Sequence, residues 1–372
     1  MTGIFQEIRE KARNGVIPYD TYIELALYHN KYGYYQKNVG RLGKEGDFYT
    51  ANHVGGIFSE LMARIFFKAA RQLNLPLQIM ELGGGDGRFF MQLMDAFKKM
   101  GLKPDKYIFV EHNPYVRKQM EKNFPADVNV DVYESLEHYM KQEDRFTGFV
   151  FSNEFLDAQP VRVVVNRGEE LKEVMVAVND KGELTEIEKP CATNLMNWLS
   201  KWFPPLMNDQ RTEVPVYMDN ITSLIDQSLI KGLIFTFDYG YTNKERLHYY
   251  RRKGSLRGYM RHRMVYNPLQ YPGDMDITHH VPWDTWIKKG QERHWKHHLL
   301  TRQNQFFGQI GELNHLFAEV KPEDPFSKAA RRNRAIRTLL SDDWMGSMFD
   351  VCIQSKNMGA KVVDHFLNIQ EK

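Results

Sequence analysis

The 372-residue chain contains little cysteine and little net charge, and it has no long hydrophobic run. Its two cysteines, Cys191 and Cys352, exclude a disulfide framework and indicate a reducing compartment. The formal net charge of +3 gives no support for a nucleic-acid-binding groove. No apolar run is long enough to span a membrane, and the N-terminal residues match neither a secretory nor a transit signal. These absences predict a cytoplasmic protein, and a hydrophobic content of 42% is sufficient for a large core.

The most informative segment is residues 78–88, Gln-Ile-Met-Glu-Leu-Gly-Gly-Gly-Asp-Gly-Arg. It predicts a short apolar strand, a glycine turn and a helix that begins near Phe89. Gly83, Gly85 and Gly87 would let the backbone approach a ligand closely, because they carry no Cβ. The helix would present free N–H groups to that ligand. The segment therefore predicts a site for a nucleotide-like cofactor.

The spacing of this segment argues against two common phosphate-binding sites. The third glycine of a dinucleotide fingerprint would come one residue early, at Gly87, and the Gly-Lys-Ser/Thr ending of a P-loop is absent. Glu81, near the strand end, would also repel a pyrophosphate. The pattern E-x-G-x-G-x-G instead resembles motif I of class I S-adenosylmethionine methyltransferases. Their cofactor carries a sulfonium and an ammonium and has no phosphate, so the resemblance implies S-adenosylmethionine.

The next predicted strand agrees with this interpretation. Residues 107–110, Tyr-Ile-Phe-Val, form an apolar run typical of a buried parallel strand. The run ends in Glu111, and Asn113 with Pro114 then marks a helix start. A carboxylate at the tip of this strand can accept hydrogen bonds from both ribose hydroxyls. The alternative for Glu111 is a solvated residue at a strand end.

The order of predicted elements gives an α/β fold with a Rossmann-like core of mostly parallel strands. Within it the predicted strands are 77–82, 107–111, 128–133, 148–152 and 233–237, with 349–353 closing the sheet at its edge. Four regions follow: a helical N-terminal cap and substrate region (1–75), the cofactor-binding core (76–160), an antiparallel β insert with helices (161–232), and the remainder of the core sheet with a lid at 240–285 and C-terminal helices (233–372).

Several sequence blocks are similar to those of the MidA-like methyltransferase family, which has bacterial members and a mitochondrial complex I assembly factor. The most specific is Asn-Glu-Phe-Leu-Asp-Ala-Gln-Pro-Val at 153–161. Further blocks occur in the family's order at 27–35, 43–50, 238–240, 254–259 and 272–281. The resemblance implies a class I methyltransferase fold with a helical cap. It also implies methyl transfer to a protein, because the mitochondrial relative methylates an arginine.

The chain departs from the family pattern in its later blocks. Pro282 and Trp283 replace an aspartate and an aromatic residue, Ser255 replaces a threonine, and His279 replaces a common alanine. These changes leave the cofactor motif intact. They predict that the substrate differs from that of the mitochondrial relative.

Acidic residues at predicted strand ends are the catalytic candidates. Glu154 and Asp157 are expected to grip a guanidinium by forked hydrogen bonds, since a spacing of three on a helical turn places both on one face. Asp238 would shape the acceptor site, and Asp47 in the glycine-rich link would face the pocket. For each of these the alternative is an ordinary turn or capping residue.

Two further candidates come from neighbouring blocks. Asn153 is expected to contact the cofactor, because it ends the strand before the Glu-Phe-Leu-Asp block. His280 could orient a carboxylate or accept a proton, with a structural role as the alternative. His294, His297 and His298 lack a carboxylate or cysteine at a recognised spacing, so they predict a solvated helix face and no metal site.

The predicted function is therefore S-adenosylmethionine-dependent methyl transfer to a protein side chain, with arginine as one candidate acceptor. A methyltransferase for a small molecule or RNA, and a non-catalytic assembly factor that binds the cofactor, are the alternatives. A homodimer is favoured only because homo-oligomers are common.

Overall fold

The structure of the protein is a computed structural model, and it describes residues 3–36, 56–142, 145–168, 170–179, 181–261, 263–317, 324, 327–342 and 348–369. The chain divides into two compact units. The first unit is formed by segments 1–48, 155–222 and 240–289, and the second unit by segments 49–154, 223–239 and 290–372. Each unit therefore combines segments that are far apart in the sequence.

The strands and helices are numbered in chain order through both units. The strands are β1 (Val16–Pro18), β2 (Gln78–Leu82), β3 (Lys106–Val110), β4 (Val130–Tyr133), β5 (Phe146–Asn153), β6 (Arg162–Arg167), β7 (Glu170–Val178), β8 (Leu184–Pro190), β9 (Arg211–Val214), β10 (Leu229–Asp238), β11 (Gly240–Tyr241), β12 (Arg257–Met260), β13 (Arg263–Val265), β14 (Asp276–Thr278), β15 (Val281–Pro282), β16 (Lys296–Arg302) and β17 (Asp350–Lys356). The helices are α1 (Gly3–Lys11), α2 (Tyr19–Tyr28), α3 (Ile57–Leu73), α4 (Arg88–Lys99), α5 (Pro114–Asn123), α6 (Leu136–Gln142), α7 (Thr193–Trp202), α8 (Met218–Ser228), α9 (Asn243–Arg246), α10 (Trp283–Glu292), α11 (Gln303–Ile310), α12 (Lys328–Leu340) and α13 (Ala360–Phe366). Among the described residues, no helix has the length and apolar character needed to cross a bilayer.

The second unit is built on a seven-stranded sheet in the order β16-β17-β10-β5-β2-β3-β4. Neighbouring strands from β10 to β4 are parallel, whereas β17 runs antiparallel to both β10 and β16. The central strands are almost continuously apolar because both faces of a parallel sheet are covered. The sheet confirms the prediction of an α/β fold, and the strands predicted at 77–82, 107–111, 128–133, 148–152 and 233–237 are present.

The prediction for the edge of the sheet was wrong. The late strand β17 lies inside the sheet, and the edge is formed by β16, which the sequence did not predict as a strand. His297 and His298 lie in β16, so they do not form a helix face. His298 bonds Asp364 through Nδ1 at 2.6 Å and Ser355 through Nε2 at 2.7 Å. These two bonds give His298 a structural role.

The core of the second unit is rich in aromatic rings. Helix α3 contributes Phe58 and Phe66, which recur with other apolar residues at the spacing of one helix face. Phe66 packs against Phe149 of β5 and Phe235 of β10, with ring centroids 5.4 and 5.7 Å apart. Tilted and edge-to-face contacts of this kind add to the burial of apolar area. The core thus fixes the central strands whose ends carry the candidate site.

The first unit contains an antiparallel sheet in the order β1-β7-β6-β9, with β8 paired to β7. This confirms the antiparallel hairpins predicted after residue 160. Residues 240–285, which were predicted as a lid, contain the pair β11–β15 and the three-stranded sheet β13-β12-β14. Met275 and Ile277 from this region are buried with Tyr22 of α2 in one hydrophobic cluster.

Candidate active site

The carboxyl ends of four parallel strands lie side by side at one edge of the sheet in the second unit. Asp238 ends β10, Asn153 ends β5 and is followed by Glu154, the glycine turn follows β2, and Glu111 follows β3. The ligand crevice of an open parallel sheet lies at this edge. The topology therefore brings together all the predicted cofactor-binding residues and two of the predicted catalytic ones.

The glycine turn is anchored to the neighbouring strand. The N–H groups of Gly83 and Gly84 both donate to the carbonyl oxygen of Val110, at 2.9 and 3.3 Å. Gly85 has a φ of +56°, and a Cβ placed on it would meet no atom of the described residues within 4 Å. Gly87 has a φ of +73°, and a Cβ on it would collide with the side chain of Met120. Gly85 thus offers the open space predicted for a ligand, whereas the left-handed backbone and the packing against Met120 both favour glycine at position 87.

Glu111 ties the glycine turn to the end of β3. Its Oε2 accepts the N–H of Gly85 at 2.9 Å, and its Oε1 accepts the N–H of Asn113 at 2.7 Å. Burial raises the pKa of Glu111, and these backbone N–H groups oppose that shift. A carboxylate offers about four lone-pair sites in all. The carboxylate is thus oriented and can still accept further hydrogen bonds.

Glu81 is the most deeply buried acidic residue of the glycine motif. Its side chain is 4% exposed, and its Oε2 accepts a hydrogen bond from the hydroxyl of Tyr107 at 2.7 Å. Burial raises the pKa of Glu81 to about 8, although the Tyr107 bond acts in the opposite direction. The group is therefore largely protonated at neutral pH.

The end of β5 combines an unsatisfied polar atom with a left-handed backbone. The Nδ2 of Asn153 donates to Oε1 of Glu154 at 3.1 Å, while its buried Oδ1 has no hydrogen-bond partner in the described part of the chain. Glu154 has a φ of +49°, and its N–H donates to the carbonyl oxygen of Phe237 at 2.9 Å. A non-glycine residue in this conformation stores strain that is common at functional sites. Both features are consistent with a ligand-binding position.

Two of the predicted catalytic aspartates are buried. Asp238 is fully buried at the end of β10, and it accepts the N–H of Tyr239 at 2.9 Å. Asp157 lies in a turn of the first unit and is 3% exposed. The predicted helical turn that carries both Glu154 and Asp157 is not formed, because Glu154 is left-handed. The prediction that Glu154 and Asp157 lie on one helix face and hold a guanidinium together from there was therefore wrong.

Asp157 belongs to a cluster of acidic and aromatic residues within the first unit. Asp276 is 2% exposed and accepts the hydroxyl of Tyr35 at 2.8 Å. Burial raises the pKa of Tyr35 well above its ordinary value, and the negative charges of Asp276 and Asp157 add to this effect. The same two charges raise the pKa of Tyr259, for which burial is again the main cause. Tyr28 stacks on Tyr35 with a centroid distance of 5.5 Å.

His280 lies in the first unit between an aromatic ring and a guanidinium. Its ring stacks on that of Tyr241 with a centroid distance of 4.1 Å and an interplanar angle of 9°. The Nη2 of Arg257 lies 3.2 Å from Nε2 and 3.4 Å from Nδ1 of His280. These contacts favour a structural role, and the proposed proton transfer stays a prediction.

A family model described as "Putative S-adenosyl-L-methionine-dependent methyltransferase" matches residues 61–300. The chain belongs to this methyltransferase family. The model covers the glycine turn, Glu111, the Asn153–Glu154 pair and Asp238. Membership confirms the predicted family resemblance and the predicted cofactor, S-adenosylmethionine.

Solved and curated relatives agree with this membership. A Burkholderia thailandensis protein, solved with S-adenosyl-homocysteine bound, is 27% identical, has a TM-score of 0.83, and is matched over 96% of this chain and 92% of that one. The Drosophila melanogaster "Protein arginine methyltransferase NDUFAF7 homolog, mitochondrial" is 24% identical over 71% of this chain and 64% of its own length. The Caenorhabditis elegans protein of the same name is 25% identical over 66% of this chain and 61% of its own length. The chain thus spans less than two thirds of these two curated relatives.

The sequence did not single out Glu213, which organises part of the first unit of this methyltransferase. Its Oε1 accepts the N–H groups of Ser255 and Leu256, at 2.8 and 3.0 Å, and its Oε2 accepts the Ser255 hydroxyl at 2.9 Å. These bonds fix the turn that begins the 254–259 block. Only the combination of a strand glutamate with a distant serine turn could have indicated the contact.

Asp47, the remaining predicted catalytic residue, lies outside the described residues. Across the ranges that are described, no group of three histidine, cysteine or acidic side chains is arranged to hold a metal ion.

Proposed function

We propose that this methyltransferase transfers the methyl group of S-adenosylmethionine to an arginine side chain of a protein. The observation that carries the proposal is the buried pair of carboxylates, Asp157 and Asp276, grouped with Tyr35, Tyr28 and Tyr259 in the first unit. Such a cluster suits a cation better than a neutral or anionic acceptor. The names of the Drosophila and Caenorhabditis relatives, which are arginine methyltransferases, support the same acceptor.

The chemistry of arginine explains why two carboxylates would be needed. A guanidinium is charged at neutral pH and is a weak nucleophile. Carboxylates that accept its forked N–H groups hold the planar group in place and draw its positive charge away from the attacking nitrogen. Most of the remaining acceleration comes from positioning the nitrogen in line with the methyl group. Asp276 is itself positioned by the Tyr35 hydroxyl and by the N–H of Ile277, at 2.8 and 2.9 Å.

The second unit would hold the cofactor, which supplies an electrophilic methyl group when bound. Glu111 would accept the ribose hydroxyls, and the space beside Gly85 would admit the cofactor's polar groups. The unsatisfied Oδ1 of Asn153 would accept a hydrogen bond from it. Glu154 and Asp238, at the same sheet edge, would place negative charge near the positively charged cofactor.

A direct test uses Asp157→Asn and Asp276→Asn, with Asp274→Asn as the matched control on an exposed aspartate of the same unit. Purified chains would be incubated with a cell lysate and a labelled methyl donor, after which protein and RNA are separated and modified amino acids identified. The two buried-site variants should bind S-adenosylmethionine normally but lose about tenfold or more of the arginine methylation, since each loses one charge-assisted bond. The Asp274→Asn control should retain the arginine methylation of the parent chain.

Two outcomes would contradict the proposal. Label that appears in RNA or in a small molecule, and not in protein, would establish the alternative acceptor. Cofactor binding without any transfer, in the parent chain, would point to the assembly-factor alternative. The cytoplasmic location and the homodimer stay predictions, and the names of the Drosophila and Caenorhabditis relatives place those proteins in mitochondria.

A further inference from the structure

The first unit contains a polar pocket with three arginines in its lining. Arg211, Arg246 and Arg251 line it together with His280, hydroxyl-bearing residues and Glu213. The pocket is open to solvent, and its empty space, with the adjoining solvent included, is about 350 Å³. We propose that this pocket binds an oxyanion, either a carboxylate or a phosphate group, with Arg251 as the principal donor.

The guanidinium of Arg251 is held in place but incompletely satisfied. Its central carbon lies 3.5 Å from the centroid of the Tyr241 ring. Its buried Nη1 has no hydrogen-bond partner among the residues that the structure describes. A buried charged donor without a partner has lost its bonds to water and gained none in return. An acceptor oxygen in the pocket would supply the missing bond.

The other two arginines differ in how well their charge is balanced. Arg211 forms a two-point bond with Glu186, at 2.6 and 2.7 Å, so its charge is already matched. The guanidinium of Arg246 lies 3.9 Å above the ring of Phe203 and donates to the hydroxyl of Thr212. Burial lowers the pKa of Arg246 to about 10, despite the nearby charge of Glu213. Within the described ranges, therefore, neither Arg246 nor Arg251 has a bonded counter-charge.

Glu213 is the acidic residue of the lining, and its oxygens are engaged elsewhere. They accept three hydrogen bonds from the turn at Ser255 and Leu256. Burial by itself would raise the pKa of Glu213, but the bonds from these N–H groups lower it, and the net shift is downward. The charge of Glu213 thus stabilises the turn and is not bonded to Arg251 or Arg246. Two guanidinium groups remain available for an anion.

The stacking around Tyr241 limits the kind of ligand that fits. Arg251 and His280 lie 3.5 and 4.1 Å from the ring centroid, and two groups that close can only occupy opposite faces. No face of Tyr241 is then free to stack on a flat aromatic ligand. Recognition would come from the donor atoms alone, which suits a compact group of acceptor oxygens.

The proposal is separate from the assignment of the methyl acceptor. It requires neither methyl transfer nor the Asp157–Asp276 pair, so a negative result here would leave the proposed function standing. The ligand oxygens could belong to an acidic side chain of a polypeptide or to free phosphate. The chemistry of recognition is the same for both.

The test is calorimetric titration of the full chain with two probes at constant ionic strength. One probe is inorganic phosphate, and the other is an acetylated and amidated Ala-Glu-Glu-Ala peptide. Arg251→Gln is the test variant, and Arg263→Gln, on an exposed arginine of the same unit, is the charge-matched control. We expect saturable binding of at least one probe to the parent and control chains, weakened about tenfold or more in Arg251→Gln. Binding of the peptide alone would identify a polypeptide carboxylate as the source, and binding of phosphate alone would identify phosphate.

Absence of binding by both probes, or equal binding by the parent chain and Arg251→Gln, would overturn the proposal. If Arg251→Gln does not fold, modification of the parent chain by phenylglyoxal decides the question. Phosphate or the peptide should then slow the modification of Arg251, as read by peptide mass mapping. An unchanged rate of modification would count against the pocket.

Discussion

Replacing Glu81 by glutamine should change how the stability of the protein depends on pH. The carboxyl group is buried and accepts a hydrogen bond from Tyr107, and burial raises its pKa from 4.5 to about 8. A group whose pKa is higher in the folded state favours folding at low pH, and this advantage is lost as the pH rises through the folded pKa. Glutamine keeps an acceptor oxygen for Tyr107 but does not ionise.

The size of the effect on the free energy of unfolding follows from the shift in the pKa of Glu81. At about 1.4 kcal/mol per pH unit, a shift from 4.5 to about 8 amounts to about 5 kcal/mol. Most of this is lost between pH 5 and pH 9, because the unfolded chain has already ionised at Glu81 whereas the folded chain ionises there only near pH 8. The free energy of unfolding of the parent chain should therefore fall by about 4 kcal/mol relative to Glu81→Gln over that range.

The assay is urea denaturation of the parent chain and Glu81→Gln at pH 5, 7 and 9. Glu121→Gln, on an exposed glutamate of the same unit, is the matched control and should follow the parent chain. A difference between the parent chain and Glu81→Gln that stays constant from pH 5 to pH 9 would refute the reasoning. Calorimetry with S-adenosylmethionine on the same variants then tests the predicted cofactor contact, because a purely internal Glu81 would leave the affinity unchanged.

The remaining predictions concern the glycine turn and the cysteines. Gly87→Ala should lower the free energy of unfolding by about 1–2 kcal/mol for its left-handed backbone and by about 1–3 kcal/mol for overpacking against Met120. Gly85→Ala should cost only the first amount but weaken cofactor binding, and calorimetry that shows equal losses of binding for the two variants would contradict this. Cys191 and Cys352 are buried, and burial raises the pKa of both thiols, so iodoacetamide should alkylate neither at pH 8 until urea is added. Rapid alkylation of either thiol in the native protein, detected by mass spectrometry, would refute this prediction.

The central sheet could be predicted from the sequence because its strands are buried on both faces. Residues 107–110 and 149–151 are short apolar runs that alternate with helices along the chain. This pattern is typical of parallel strands that are buried on both faces. The strand β16 could not be recognised in the same way. It forms the edge of the sheet, its residues are mostly half-buried, and Lys296, His297 and His298 give it a polar start.

The candidate site was predictable to the extent that it depends on strand ends. Glu111 and Asn153 were found because parallel strands bring their carboxyl ends to one edge. The role of Glu213 could not be found, since its partners are about 40 residues away and meet it only in the folded chain. The expected helical turn at Glu154 failed because a left-handed residue breaks the helical spacing.

The position of β17 has a consequence for synthesis on the ribosome. This strand pairs with β10 and β16 on either side, yet more than a hundred residues separate it from β10 along the chain. At about 5–20 residues per second, the nascent polypeptide exposes an unpaired edge of β10 for about 5 to 20 seconds. Open strand edges promote association with other chains. Chaperones would therefore be needed most while this interval lasts, and a ribosome that stalls before Asp350 would leave the sheet open.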